Sequence, residues 1–280
     1  MRADLRRAWL GLLTATGIAR RGFFIPYRYA ASNRNPVGSD AYPALTPFFR
    51  SREKAFLDHL SSIDRHGEAL RVIGTAPPPQ PRWQQDWFPA LDGAAAYAFV
   101  RDLRPSRIVE IGSGHSTRFL AHAIADGGLT TRLTAIDPEP RADIAGLGIE
   151  LIRRPLQETD WHVFRDIAAG DVVFIDSSHI LMPGTDLDLL LNGVIPMLPS
   201  GTIVHLHDIF LPDGYPKDWA WRGYNEQSAI GPMLAGGGFE ILFASHYVRS
   251  RLGDRLAATV VASLPLAPGA YESSLWLRKR

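Results

Sequence analysis

Two short stretches carry side chains that could move protons or hold an ion. "FIDSSHI" presents Asp176 and His179, and "HLHDIF" presents His207 and Asp208. Two carboxylates in one pocket repel each other unless a proton or a cation joins them. A divalent ion on oxygen ligands would relieve that repulsion. Magnesium and manganese suit carboxylates, and a histidine ligand tilts the choice toward manganese or iron. Without a metal, His179 or His207 can act as general base, because imidazole titrates near neutral pH. Asp176, His179 and His207 are therefore the candidate catalytic residues. Plainer readings stand beside these. Asp176 could simply cap the following loop, and His205, on the same strand face as His207, reads as a core histidine.

A second feature is the glycine turn in "RIVEIGSGHSTRFLAHAI", Arg107 to Ile124. Gly112 and Gly114 follow an apolar burst, and a helix is expected to open near Ser116. Glycine allows a tight turn and lets a ligand approach without a Cβ in the way. The helix start offers free N–H groups to an anionic part of that ligand. A dinucleotide fingerprint would require a third glycine, where this chain has Thr117. That favours a nucleoside ligand without a pyrophosphate. Asp137 ends the next apolar run, 23 residues after Gly114. A carboxylate there can accept from both hydroxyls of a ribose; the plainer alternative is that it caps a turn.

These residues need a frame that brings them to one edge. After "GTAPPPQPRW", whose consecutive prolines rule out a helix interior, strands and helices alternate. "RIVEIG", "RLTAID", "IELIRRPL", "DVVFIDSS" and "GTIVHLHDIF" read as strands. "LDGAAAYAFVRDL", "STRFLAHAIADG" and "TDLDLLLNGVIPML" read as helices, and "FEILFASHYV" and "SSLWLRK" add two further strands. Such alternation implies βαβ units and a mainly parallel sheet, with ligands at the carboxyl ends of its strands. Upstream, "SREKAFLDHLSSIDRHGEAL" reads as a helix with Ser51 as N-cap, and "PVGSDAYPALTPFF" as irregular.

"VEIGSGHST", "AIDPEP", "VVFIDSSH" and "SGTIVHLHDIF", in this order, resemble the strand-end motifs of class I S-adenosylmethionine-dependent methyltransferases. The nearer likeness is to the branch with an "IDGDH"-type fourth strand, including macrocin-type sugar and catechol O-methyltransferases. The resemblance covers about Ala90 to Lys279. It implies a doubly wound, Rossmann-like α/β fold with a seven-stranded, mostly parallel sheet. It also implies residues 1–80 as an N-terminal helical and irregular extension and residues 81–280 as the methyltransferase domain. "RWQQDWF", Arg82 to Phe88, would then form a lid. S-adenosylmethionine would lie with its methionine part against Glu110 and the Gly112–Ser113–Gly114 turn, near Ser116. Asp137 would hold its ribose and Gln157 its adenine. The metal-dependent relatives end the fourth strand on Asp and the fifth on an acidic residue followed by Asp or Asn. Asp176 and Asp208 match, whereas His207 departs from that pattern: either His207 is a nitrogen ligand beside Asp176 and Asp208 on Mg2+ or Mn2+, or the site holds no metal.

The acceptor is read from "LPDGYPKDWAWRGYNEQSAI", where aromatic, amide and carboxylate side chains mix. That mixture suits a small polyhydroxylated or glycan-type acceptor, or else a homodimer contact. Charge is nearly balanced, with Lys+Arg 30 against Asp+Glu 29, which gives no nucleic-acid footprint. The chain has no cysteine, so disulfides, thiolate metal sites and Cys nucleophiles are excluded, and a cytoplasmic location is expected. The apolar run from Ala8 to Ala19 is too short to span a bilayer. It reads as a helix packed on the domain or a partner subunit, with peripheral membrane contact as the sharper alternative. Competing functions are a catalytically silent scaffold at the membrane surface and a metal-dependent hydroxylase of the same branch. An NAD(P) oxidoreductase is disfavoured by the lack of a Tyr-x-x-x-Lys pair.

Overall fold

The computed structural model describes residues 2–32 and 37–280. Pro36, which opens the proline-rich stretch, lies outside them. One sheet of seven strands runs through the molecule in the order β3-β2-β1-β4-β5-β7-β6. The strands are β1 (Arg107–Ile111), β2 (Arg132–Ile136), β3 (Glu150–Ile152), β4 (Val172–Ile175), β5 (Ile203–Leu206), β6 (Phe239–Ala244) and β7 (Leu275–Lys279). β1 to β5 pair in parallel, and β7 runs antiparallel to β5 and β6. This is the doubly wound, Rossmann-like α/β sheet expected, with its penultimate position held by a reversed strand. β4 and β5 are buried along their whole length, as central parallel strands are.

The sheet reverses direction of growth at β1. From β1 the chain moves outward to β2 and β3, then returns to the other side for β4 and β5. The connections that follow β1 and β4 therefore diverge, and a crevice opens between them at the carboxyl ends of the strands. Ile111 pairs with Ile175, so Gly112 and Asp176 leave the sheet side by side. Gly112 has φ +82, and a Cβ on it would lie 1.8 Å from the Asp176 carbonyl oxygen. Only glycine fits that position.

The helices used below are α1 (Arg2–Ala15), α2 (Thr46–Arg50), α3 (Glu53–Arg65), α4 (Gly67–Val72), α5 (Ala90–Leu103) and α6 (His115–Asp126). Several local expectations need correcting. Ser51 does not cap α3; its hydroxyl donates to Phe48 O at the end of α2, and that short helix lies within the stretch read as irregular. β3 is much shorter than "IELIRRPL", which soon meets Pro155 and its missing N–H. "FEILFASHYV" leaves the sheet at Ala244 and turns helical over Ser245–Arg251.

Phe56, Leu60 and Ile63 of α3, spaced at helical period, are buried in the same core as the sheet. Phe56 meets Phe243 of β6 edge-on at 6.0 Å. α1 behaves differently. Leu5, Trp9 and Leu12, also spaced at helical period, are all exposed. Among the described residues no helix is long and apolar enough to cross a membrane.

Candidate active site

β4 and β5 deliver the predicted titratable residues to one place. Asp176 follows β4, His179 sits three residues on, and His207 and Asp208 follow β5. His179 Nε2 lies 3.4 Å from Asp176 Oδ1 and 3.3 Å from Asp208 Oδ2. His207 Nδ1 lies 3.5 Å from the same Asp176 Oδ1 and 3.4 Å from Asp208 Oδ1. Two imidazoles thus alternate with two carboxylates. His179 and Asp208 have φ +59 and +58, a left-handed conformation that non-glycine residues rarely hold and that concentrates at functional sites.

Two further carboxylates stand behind the imidazoles. Glu226 Oε1 lies 2.6 Å from His179 Nδ1. Asp92, from α5, places Oδ2 3.3 Å from His207 Nε2; Oδ2 accepts from the Ser273 backbone N–H and Oδ1 from that of Ser274. Burial alone would lower both imidazole pKa values, but the facing carboxylates hold His179 and His207 well above the usual histidine value. Burial likewise opposes ionisation of Asp176, yet His207 and His179 carry it well below the ordinary carboxylate range. Every carboxylate of the cluster faces an imidazole, and that pairing offsets the cost of burying them. Among the described residues no group of three or more His, Asp or Glu side chains is arranged to hold a metal ion.

The cluster forms one end of a cavity of about 320 Å³ whose other walls are the glycine turn and the loop after β2. Gly112, Ser113, Ser116, Asp137, Gln157, Asp176, His179, His207 and Asp208 all line it. Asp86, Trp87 and Phe88 of the expected lid lie on its wall, and Trp87 stacks under the Arg141 guanidinium at 4.3 Å. Asp137 also caps the turn: Oδ2 accepts from Ser113 N at 2.6 Å and Ser113 Oγ at 2.9 Å, and Oδ1 from Glu139 N at 2.7 Å. Gln157 reaches the Gly184 carbonyl at 3.3 Å.

Two predicted cofactor residues do not reach the cavity wall. Glu110 is fully buried behind the turn, where its carboxyl accepts from Ser116 Oγ at 2.6 Å and Thr117 Oγ1 at 2.7 Å. Burial lifts its pKa to about 8, against the pull of those hydroxyls. Thr117 Oγ1 in turn accepts from Gly114 N. Glu110 therefore braces the turn from inside. Gly114, at φ +154, packs against Arg141 and Ala142.

Sequence reasoning missed Asp92, which sits in an alanine-rich helix far along the chain from His207. It also missed the role of Glu226 and the place of His115. His115 lines the cavity, and burial together with Arg118 and Arg82 lowers its pKa to about 4, so the ring is neutral. The amides of the aromatic loop are spent on backbone. Asn225 brackets Leu181, and Gln227 bonds Phe210 N and Asp213 O. His205 lies in the core, stacked on Phe174 at 3.7 Å.

Residues 109–209 match the family described as a methyltransferase domain. The match begins in β1 and ends just past Asp208, so it spans the glycine turn and the whole cluster. This segment of the chain is similar to a methyltransferase domain. No curated protein matches the chain. Similar solved structures include a methyltransferase of Podospora anserina bound to SAH, 17% identical over 92% of this chain and 99% of that one, with a TM-score of 0.41. An O-methyltransferase of Streptomyces achromogenes involved in tomaymycin synthesis is 16% identical over 79% and 89%, with a TM-score of 0.41. An O-methyltransferase of Bacillus cereus is 13% identical over 80% and 91%, with a TM-score of 0.38. The glycine turn and the titratable cluster line one cavity.

Proposed function

We propose that this cavity takes S-adenosylmethionine and that the chain methylates an oxygen of a small polyhydroxylated or glycan-type acceptor. The observation that carries this reading is the convergence of Asp176, His179, His207 and Asp208 on the cavity that the Gly112–Ser113 turn and Asp137 also line. Asp137 contributes the ribose contact, Ser113 and Ser116 the polar wall beside it, and Gln157 the adenine edge. His179 is the base. In the described state the facing carboxylates favour its protonated form. A sulfonium in the same cavity adds positive charge and drives His179 toward neutrality. Neutral Nε2 can then take the hydroxyl proton as the oxygen–methyl bond forms and the sulfur–methyl bond breaks, with S-adenosylhomocysteine leaving, while Glu226 on Nδ1 holds the tautomer. Asp176 and His207 position the hydroxyl.

A second reading places Mg2+ or Mn2+ on Asp176, His207 and Asp208. The described arrangement speaks against it: the two carboxylates contact the two imidazoles directly at 3.3–3.5 Å, and among the described residues no group of three or more His, Asp or Glu side chains is placed to hold an ion. An ion there would supply Lewis acidity to the acceptor oxygen. The exposed apolar and arginine-flanked N-terminal segment suits peripheral contact with an anionic surface, with a homodimer as the alternative. A chain without cysteine suits a cytoplasmic setting.

The test is transfer of labelled methyl from S-adenosylmethionine to catechol and sugar acceptors by wild type and His179→Ala, with EDTA and with added Mn2+. The account expects transfer that survives EDTA and is lost in the variant. Loss in EDTA with recovery on Mn2+ would favour the second reading. Equal transfer by His179→Ala would remove His179 from catalysis.

A further inference from the structure

A second cavity of about 1160 Å³ adjoins the first, and Gln157, Asp186 and Arg222 line both. One of its walls comes from the N-terminal segment, with Arg6, Arg7 and Leu10 of α1 and Arg21 to Ile25 beyond it. The facing wall holds Ile180, Met182 and Trp221, directly beyond His179. Its volume exceeds the range of about 300–1,000 Å³ usual for drug-sized ligands. Its apolar walls include Phe23, Phe24, Ile25 and Trp221, all of them exposed. Exposed apolar surface of this extent marks a binding site.

The charge in this groove is one-sided. Arg6, Arg7, Arg21 and Arg222 line it. Asp186, the carboxylate in the lining, is already bound by the Ser178 N–H and hydroxyl. Arg222 stands at the junction of the two cavities. Its guanidinium lies 4.1 Å from the Trp219 ring centroid, and Nη1 donates to Tyr224 Oη at 3.0 Å. Its Nε is buried and has no partner among the described residues. A buried donor without a partner is costly, and an acidic oxygen at the junction would satisfy it with a charge-assisted bond.

We propose that this groove is the acceptor site and that the acceptor is an anionic amphiphile. Its phosphate or carboxylate head sits on Arg222 and presents a hydroxyl toward His179. Its apolar part lies along Phe23, Phe24, Ile25, Ile180 and Met182. This narrows the hydroxyl-bearing acceptor of the methyl transfer proposed above to one that also carries an acidic head and an apolar tail, and it rests on that reading. It also gives the N-terminal segment a task, as the outer wall of the acceptor groove.

Calorimetry of the full chain with dodecyl phosphate, below its critical micelle concentration, tests the proposal. Dodecyl maltoside and inorganic phosphate serve as the neutral-head and head-only probes. The expected result is saturable dodecyl phosphate binding, at least about tenfold tighter than that of dodecyl maltoside, from the charge-assisted contact. Inorganic phosphate should not displace it at millimolar concentration. Arg222→Gln should weaken it about tenfold. Phe24→Asp, at a surface position, should also weaken it and keeps the test decisive if the Arg222 variant does not fold. Equal affinity for the maltoside, displacement by inorganic phosphate, or wild-type affinity in both variants would overturn the proposal. SAH binding is measured on the same samples. SAH heat without dodecyl phosphate heat overturns the groove alone, and the reverse overturns the methyltransferase reading alone.

Discussion

His205 lies in β5 and His207 directly after it, with ring centroids 6.1 Å apart, yet they live in different chemistry. His205 is packed between Phe174 at 3.7 Å and Trp276 at 4.7 Å. Its one polar partner is Ser274 Oγ at 2.9 Å, and burial drives its pKa well below the usual value. His207, one step nearer the carboxyl end of the sheet, meets Asp92, Asp176 and Asp208 and is driven the other way. Both are buried. The difference is therefore the presence of carboxylates, and these gather only where parallel strands end and the chain is free to turn. The core below is built to exclude charge, and the rim above is built to balance it.

The largest effect should come from the rim. His179→Ala should reduce methyl transfer by about 10²–10⁴-fold, the usual worth of a positioned base. His205→Phe, in the core two residues below His207, should leave transfer within about threefold, since it replaces a neutral stacked ring with another. A steady-state assay of both variants would break the comparison if their losses were alike.

Next is the turn that joins rim to core. Gly112→Ala places a Cβ 1.8 Å from the Asp176 carbonyl, so either the turn or the β4 end must move. SAH affinity should fall by about tenfold or more, because a small misplacement of a binding turn is expensive. An unchanged affinity by calorimetry would show that the crevice is softer than described.

A smaller effect is expected behind the rim. Asp92→Asn removes the charge facing His207 Nε2 while leaving an oxygen for one of the Ser273 and Ser274 N–H groups. Stability should drop by about 1–3 kcal/mol in denaturant unfolding, and the His207 titration, followed by ring-proton NMR, should move downward. A titration that stays in place would mean that Asp176 and Asp208 alone hold the charge.

The last prediction concerns pH. Glu110 has a folded pKa of about 8 against an ordinary 4.5. Its folded pKa is raised, so its contribution to stability is fully present below pH 4.5 and is lost as pH rises through about 8. Wild type should therefore lose stability between those limits, and Glu110→Gln should lose less. Melting temperatures across that window check it; parallel curves for the two proteins would contradict it.

Much of this was legible in the sequence, for a physical reason. Central parallel strands are near-continuous apolar runs, so the polar residues that terminate them stand out, as Asp176 does after "VVFI" and Asp208 after "IVHLH". Their meeting follows from the topology alone. What was not legible depends on distant packing. Asp92 reaches His207 across 115 positions, from a helix whose pattern says only that it is buried. Glu110 follows the motif order but retreats behind the turn, because Ser116 and Thr117 offer it hydroxyls there. Ser51 has the right type for a cap, yet the preceding short helix claims its hydroxyl first. The groove is invisible for the same reason: its walls, α1 and the loop after β4, are separated by most of the domain.

The central claim is that the crevice between β1 and β4 holds S-adenosylmethionine. The most direct measurement is calorimetric titration of the full chain with S-adenosylhomocysteine, for wild type and for Asp137→Ala, with and without EDTA. The account predicts micromolar binding by wild type, unaffected by EDTA, that is lost in the variant. No heat from wild type at millimolar ligand would contradict it and leave the fold as a scaffold.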